Sequence, residues 1–111
     1  ALVFAPDGSQ LVAIHEMTLV VWPVPELGEP RLVRNDTRKH FTAACYHLSG
    51  RYLIATSNDT TVHVFDTRSW GRVTRFTWKL GPLRTVAVSP DGTLAAAGGN
   101  NGEVVVWDVD L

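Results

Sequence analysis

The chain has 111 residues, of which 45% are hydrophobic and 19% are charged, and its formal net charge is −1. This composition is typical of one small folded domain and differs from that of a disordered segment. The near-neutral charge gives no general attraction to nucleic acid, and the apolar runs are too short to cross a bilayer. The single cysteine, Cys45, excludes an intrachain disulfide and a cysteine zinc site.

Short strand patterns run along the whole chain, beginning with a first group of four. These predicted strands are Leu2–Phe4, Gln10–His15, Thr18–Trp22 and Arg31–Arg34. Between the first two, Pro6-Asp7-Gly8 predicts a tight turn, because proline fixes φ, aspartate can bond to nearby backbone and glycine accepts a positive φ. No stretch shows sustained apolar spacing at a helical period, so helix is disfavoured.

Two further groups follow with the same order of strands and turns. The second group comprises the predicted strands Thr42–His47, Tyr52–Ser57, Thr61–Asp66 and Arg72–Trp78. The third group contains only three predicted strands, Leu83–Ser89, Thr93–Gly98 and Glu103–Val109. The connections are short, so consecutive strands among the eleven are expected to run antiparallel.

Two features of these groups repeat at an almost constant spacing. One is a turn glycine, which recurs every 42 residues at Gly8, Gly50 and Gly92. The other is an aromatic residue in the third strand of each group, at Trp22, Phe65 and Trp107, with Asp66 and Asp108 following the last two. A fixed period of this length indicates a repeat architecture, in which each group is one structural unit.

The third strand of each group carries apolar residues on both of its faces. In Thr61–Asp66, Val62 and Val64 share one face, while His63 and Phe65 share the other. A sheet that is apolar on both faces must be covered on both faces. Similar small sheets packed side by side satisfy this requirement.

The run Val86-Ala87-Val88-Ser89-Pro90-Asp91-Gly92, followed by Val105-Val106-Trp107-Asp108, resembles the WD-repeat β-propeller family. The resemblance implies an all-β partial propeller of three consecutive four-stranded antiparallel blades, the last without its outer strand. The blades would comprise residues 1–34, 40–78 and 83–111, forming one partial domain over residues 1–111. The repeated glycines, aromatics and aspartates would be structural positions.

The chain departs from the family pattern at several positions. The Gly-His pair that precedes each blade is absent, and its histidine position falls on Thr37 and Lys79. The turn aspartate is present as Asp59 but is replaced by Asn101 in the third copy. In the family, this histidine and aspartate join a strand hydroxyl and the tryptophan in a buried hydrogen-bond network. We expect that network to be incomplete here and apolar packing to contribute more.

Three blades do not close a ring, since propellers typically have roughly four to eight. We therefore expect the chain to be a fragment of a larger propeller. In this family the last blade usually takes its outer strand from the N-terminal side, so the missing blades are expected upstream. The outer faces of the first and last blades, and the edge of the last strand, are then expected to be open.

Residues with catalytic or metal-binding chemistry do not form a recognisable site. The histidines fall on separate strands and loops, at His15, His40, His47 and His63. The aspartates are interpreted as turn and strand-end residues, and no nucleophile, zinc or phosphate-loop motif is present. Cys45 is expected to be a small buried residue. The sequence therefore predicts no catalytic residue, no metal ligand and no cofactor.

Candidate partner-binding residues lie in loops that the resemblance places at one end of the propeller, the top face. A basic stretch over residues 31–40 includes Arg38, Lys39 and His40. The resemblance adds Asn58, Asp59 and Lys79 from neighbouring loops of the same face. The stretch could bind an acidic peptide, a phosphorylated motif or a nucleic-acid backbone. The alternative interpretation is a solvated edge that protects against strand pairing.

Two tryptophans have no equivalent in the other copies. Trp70 falls in the loop before the last strand of the second group, where an exposed tryptophan would be a candidate binding residue. Trp78 falls at the end of that strand and is expected to pack against the neighbouring blade.

The resemblance implies a non-catalytic scaffold segment that mediates protein–protein interaction or complex assembly. Its expected partners are proteins or peptides at the top-face loops and the rest of its own propeller, without membrane or nucleic acid. Two alternatives stay open: a regulatory or sensor domain of a chain with an upstream catalytic module, and a ligand-binding propeller with a central-channel site. The small residues Ala43, Ala44 and Cys45 argue against the channel site. The sequence names no compartment, although a cytoplasmic one is favoured.

Overall fold

The computed structural model of the protein describes residues 1–109, so the last two residues of the predicted third blade lie outside the described residues. The described part of the chain forms eleven β-strands and contains no helix. All eleven predicted strands are confirmed, and their ends differ from the prediction by at most one residue. In chain order the strands are β1 (Leu2–Phe4), β2 (Gln10–His15), β3 (Thr18–Pro23), β4 (Arg31–Arg34), β5 (Phe41–Tyr46), β6 (Tyr52–Ser57), β7 (Thr61–Asp66), β8 (Arg72–Thr77), β9 (Leu83–Val88), β10 (Leu94–Gly99) and β11 (Val104–Asp108).

The strands form three separate antiparallel sheets in which spatial order follows chain order. The first sheet contains β1 to β4, the second contains β5 to β8, and the third contains β9 to β11. Neighbouring sheets approach through their first strands, because β5 packs against both β1 and β9. The first strands therefore lie innermost, and β4 and β8 form the outer rim. This arrangement confirms a partial propeller with antiparallel blades.

Two apolar cores lie between the sheets, one on each side of the second sheet. Because side chains alternate along a strand, Leu53 and Ala55 of β6 enter the first core, while Ile54 enters the second. In β7, Phe65 likewise belongs to the first core and Val64 to the second. The second sheet is thus covered on both faces, as its two-sided apolar pattern predicts.

The outer faces of the first and third sheets are exposed and apolar. Leu2 is 71% exposed on the first sheet, and Val104 is 64% exposed on the third. Phe4 and Leu32 extend the first of these faces, and Val106 extends the second. This confirms the expectation of two uncovered faces. Within residues 1–109 there is also no helix of the length and hydropathy that a membrane crossing requires.

The turn at Gly92 offers a direct test of how the second and third sheets meet. Gly92 has a φ of 76°, and a methyl group there would lie 2.6 Å from Leu48 Cδ2 and 2.8 Å from His47 Nε2. His47 Nε2 also lies 2.9 Å from the Gly92 carbonyl oxygen, so the imidazole cannot withdraw without breaking that hydrogen bond. Gly102 has the same φ of 76°, but a methyl group on its Cα would meet nothing within 4 Å.

We expect Gly102→Ala to lower the free energy of unfolding by about 1–2 kcal/mol, the cost of a left-handed alanine. Gly92→Ala should cost about 1–3 kcal/mol more, because it adds the steric conflict to the same backbone cost. Urea unfolding of the two variants measures the difference directly. Equal losses of stability would show that the close approach between His47 and Gly92 is not important for packing.

Candidate interaction surface

Three connecting segments meet at one end of the second sheet. Phe41 pairs with Ser57, and Thr61 pairs with Thr77, so the loops before β5, between β6 and β7, and after β8 share this end. Backbone bonds join them, since Asn58 N–H donates to the His40 carbonyl at 2.8 Å. We call residues 35–40, 58–60 and 79–82 the loop face. It corresponds to the predicted top face.

Asn35, which the sequence reasoning missed, organises the loop before β5. Its side chain is buried, with the residue only 4% exposed, and Nδ2 donates to the Lys39 carbonyl at 2.9 Å and to Ser57 Oγ at 2.8 Å. Its Oδ1 accepts hydrogen bonds from the backbone and hydroxyl of Thr37 at 3.2 Å and 3.0 Å. These bonds fix the loop from below, while Arg38, with a φ of 62°, is exposed above it.

A second set of polar contacts lies in the turn before β7. Asp59 Oδ1 accepts bonds from the backbone and hydroxyl of Thr61, and the hydroxyl lies 3.1 Å from His63 Nε2. Burial by itself would raise the pKa of Asp59, but the hydrogen bonds from the backbone and hydroxyl of Thr61 outweigh it and lower the pKa. The second sheet therefore has a partly buried polar network at this end although the family histidine is missing. That the family network is incomplete here and that apolar packing contributes more stays a prediction.

His63 is the most enclosed titratable residue of this network. It is 1% exposed, its ring stacks on Phe65 at 6.0 Å, and Phe41 contacts it edge-on at 5.8 Å. Its Nδ1 has no hydrogen-bond partner in the described part of the chain. Burial is the main reason that the pKa of His63 is lowered, because the charged ring would lose its hydration. The imidazole is therefore neutral in the folded protein near neutral pH.

Some of the charged residues close to the loop face form ion pairs and others do not. Asp36 forms ion pairs with Arg72 and, at 3.4 Å, with Arg75, both on the outer strand β8. The hydrogen bond from Arg72 is the largest cause of the lowered pKa of Asp36. Arg38 and Lys39 are exposed and form no ion pair within residues 1–109.

The structure brings most of the predicted site residues together. Those on the loop face are Arg38, Lys39, His40, Asn58, Asp59 and Lys79. The basic stretch is longer than this surface, however. Arg31 pairs with Val21 toward the opposite end of β4, whereas Arg34 pairs with Thr18 near the loop face. Only part of the stretch is therefore available to one partner.

Trp70 is not exposed, so the condition under which it would be a candidate binding residue is not met. The residue is 7% exposed and belongs to the first core, with its ring 6.4 Å from that of Phe65. Its backbone adopts a φ of 58° and its N–H donates to the Asp66 carbonyl at 2.7 Å, so the loop turns the indole inward. Trp78, by contrast, packs across the second and third sheets against Trp107 at 5.9 Å, as predicted.

A cavity of about 460 Å³ opens at the opposite end of the first two sheets. Two of its charged lining residues serve local structure: Ser9 donates to Asp7, which lowers the pKa of Asp7, and Arg51 pairs with Asp66 at 3.4 Å. Elsewhere, burial raises the pKa of Cys45 to about 11, which keeps the thiol protonated and weakly nucleophilic. Among residues 1–109, no three metal-binding side chains form a group able to hold an ion.

The sheets, their inner first strands and the loop face define a segment of a β-propeller, a class that displays loops on a rigid support. A family model described as "WD domain, G-beta repeat" matches residues 32–66 and 72–108. The chain therefore belongs to the WD-repeat family. Proteins of this family generally mediate protein–protein interaction or complex assembly and are generally non-catalytic.

Two curated relatives illustrate the extent of the similarity. Over 100 residues the chain is 31% identical to "Nuclear distribution protein PAC1" of Yarrowia lipolytica, covering 84% of this chain and 22% of the relative. Over 64 residues it is 33% identical to "Cross-pathway control WD-repeat protein 2" of Flammulina velutipes, covering 58% of this chain and 20% of the relative. The matched part spans about a fifth of the length of these relatives.

Removing the Asn35 side chain should destabilise the loop face. Asn35→Ala leaves the Lys39 carbonyl and the Ser57 hydroxyl without this donor, which costs about 1–3 kcal/mol of unfolding free energy. Asn58→Ala is the matched control, because Asn58 is exposed on the same surface and should change stability by less than about 0.5 kcal/mol. Chemical denaturation of both variants tests this. Similar values for the two would contradict a structural role for the Asn35 network.

Burial of neutral His63 predicts a loss of stability on acidification. The folded-state pKa lies below the ordinary value of about 6.5, so the unfolded chain binds a proton first as the pH falls. The contribution of neutral His63 to the free energy of unfolding is fully present above about pH 6.5. Below that pH it decreases by at most about 1.4 kcal/mol per pH unit. We expect His63→Phe to flatten that dependence in unfolding measurements between about pH 7.5 and pH 5. Phe65→Leu, which disturbs the same core without removing a titrating group, should retain the slope.

Proposed function

We propose that this chain is a non-catalytic part of a WD-repeat propeller that holds other proteins in a complex, with the loop face as a docking surface. The observation that carries the proposal is the construction of the loop before β5. Its backbone is fixed by the buried Asn35, whereas Arg38, Lys39 and His40 are exposed. A rigid backbone lowers the entropic cost of binding, and free side chains supply the contacts.

Two observations favour a scaffold over a ligand-binding propeller with a central-channel site. Both faces of the second sheet are occupied by packing, so its loops are the surface left for a partner. The inner strand β5 carries the small residues Ala43, Ala44 and Cys45, which offer little chemistry for a central-channel ligand site. A regulatory domain fused to a catalytic module would use the same loop face and differs only in what the rest of the polypeptide does.

We further propose that additional blades of the same polypeptide complete the ring. The exposed apolar faces around Leu2 and Val104 support this proposal, because monomeric proteins rarely leave such faces uncovered. On this proposal the blades comprise residues 1–34, 40–78 and 83–111. The two outer sheets would then be covered in the same way as the second sheet.

A steric block of the loop face tests the docking surface without reference to charge. Asn58→Trp combined with Lys79→Trp adds bulk at two exposed positions of the loop face. In affinity capture by the full-length protein, with bound proteins quantified by mass spectrometry, we expect this variant to lose specific partners by at least about tenfold. The control combines Leu27→Trp and Arg68→Trp, which add the same bulk at exposed positions of the opposite end. Equal capture by both variants would exclude the loop face as the docking surface.

A further inference from the structure

The loop face is more cationic than its sequence suggests. Its two carboxylates are already used within the protein, since Asp36 is paired with arginines of β8 and Asp59 accepts bonds from Thr61. Arg38, Lys39 and Lys79 are exposed, and within residues 1–109 they form no ion pair. Ion pairing therefore offsets the charge of Asp36, whereas Asp59 stays ionised but is bound by Thr61, and three exposed cations remain for a ligand.

Within residues 1–109, no ion pair joins these three cations to an acidic group. Asp36 reaches outward to Arg72 and Arg75, away from the centre of the ring. Arg38 is held in a left-handed conformation by the bond from its N–H to the Asn35 carbonyl at 3.1 Å. Such a conformation is unfavourable for arginine and persists only where the surroundings fix it. Glu16, in the turn between β2 and β3, limits the cationic surface on the side of the first sheet.

We propose, as a refinement that rests on the proposed function, that the loop face binds a short acidic segment of a partner protein. The Arg38 guanidinium can donate two parallel hydrogen bonds to one anionic group, while Lys39 and Lys79 act as point charges for neighbouring groups. The Asn58 side chain is exposed and has no hydrogen bond within residues 1–109, so its amide is free for the peptide backbone. The ligand chemistry is a cluster of anionic oxygens on an extended chain.

An acidic segment fits this surface better than nucleic acid does. Three cations match a few carboxylates, whereas specific DNA binding commonly uses roughly six to ten phosphate contacts. The loop face contains no phenylalanine, tyrosine or tryptophan, so it lacks the stacking platforms that bind single strands. The formal net charge of −1 also gives no long-range attraction to a polyanion.

Fluorescence anisotropy with defined peptides tests the proposal on the full-length protein. The probes are labelled peptides of about ten residues, one rich in glutamate, one carrying phosphoserine and one with glutamine at the same positions, together with an oligothymidylate of equal length. We expect an acidic peptide to bind, with affinity that falls between about 50 mM and about 200 mM salt, and the glutamine peptide not to bind. Binding of the glutamate peptide identifies carboxylates as the ligand. Binding of the phosphoserine peptide alone identifies a phosphoryl group.

Matched variants locate the binding on the loop face. Arg38→Gly combined with Lys39→Gln removes two charges, and glycine adopts the φ of 62° without strain, so folding is preserved. We expect the acidic peptide to bind about tenfold more weakly for each contact removed. Arg31→Gln combined with Arg68→Gln removes the same charge from the opposite end and should leave binding unchanged. An equal loss in this control would show that net charge alone is responsible and would overturn the proposal.

The outcomes separate this inference from the docking function. If the bulky loop-face variant loses protein partners but neither acidic peptide binds, the docking surface stands and the acidic ligand is wrong. If the oligothymidylate binds more tightly than both acidic peptides, the ligand is nucleic acid and the inference is also wrong. If the bulky variant retains every partner, the docking function itself is wrong.

Discussion

The burial of the second sheet between its two neighbours is the constraint that sets the rest of the structure. Alternate residues of β6 enter opposite cores, Leu53 and Ala55 on one side and Ile54 on the other. A slip of one residue would exchange the two faces and place the wrong side chains in each core. Turn glycines at constant spacing help to fix this register, and the register then fixes which loops meet at each end.

The loop face lies at the end of the contact between the first and second sheets and depends on it. Along the face of the second sheet that contacts the first, Leu53 and Ala55 are followed by Ser57, and Phe65 is preceded by His63. The apolar core therefore changes into a polar network at the end of the sheet, where Asn35 of the preceding loop bonds to Ser57. The contact between the two sheets therefore fixes the conformation of the exposed loop. In this chain, Asn35 stabilises the loop in which the family histidine is missing.

The carboxylates and the cations near the loop face have different roles. Asp36 ties the loop of the first sheet to the outer strand of the second through Arg72, and Asp59 closes the turn before β7. These carboxylates bond to groups within the protein, whereas Arg38 and Lys79 form no ion pair among the described residues. A scaffold of this kind can acquire a charged surface without a large net charge, because pairing inside the protein decides which charges a partner meets.

Local patterns in the sequence are sufficient to specify the strands, their turns and the repeat, because alternation of apolar residues and the need for glycine at positive φ are local properties. They also locate the loops that carry Arg38, Asn58 and Lys79. The burial of Trp70 and the organising role of Asn35 emerge only from the packed structure. Those features depend on contacts between distant residues, such as the bond from Asn35 to Ser57 across 22 positions and the pair of Asp36 with Arg72 across 36. Such contacts exist only when two sheets pack, and no local pattern in a single strand or turn encodes them.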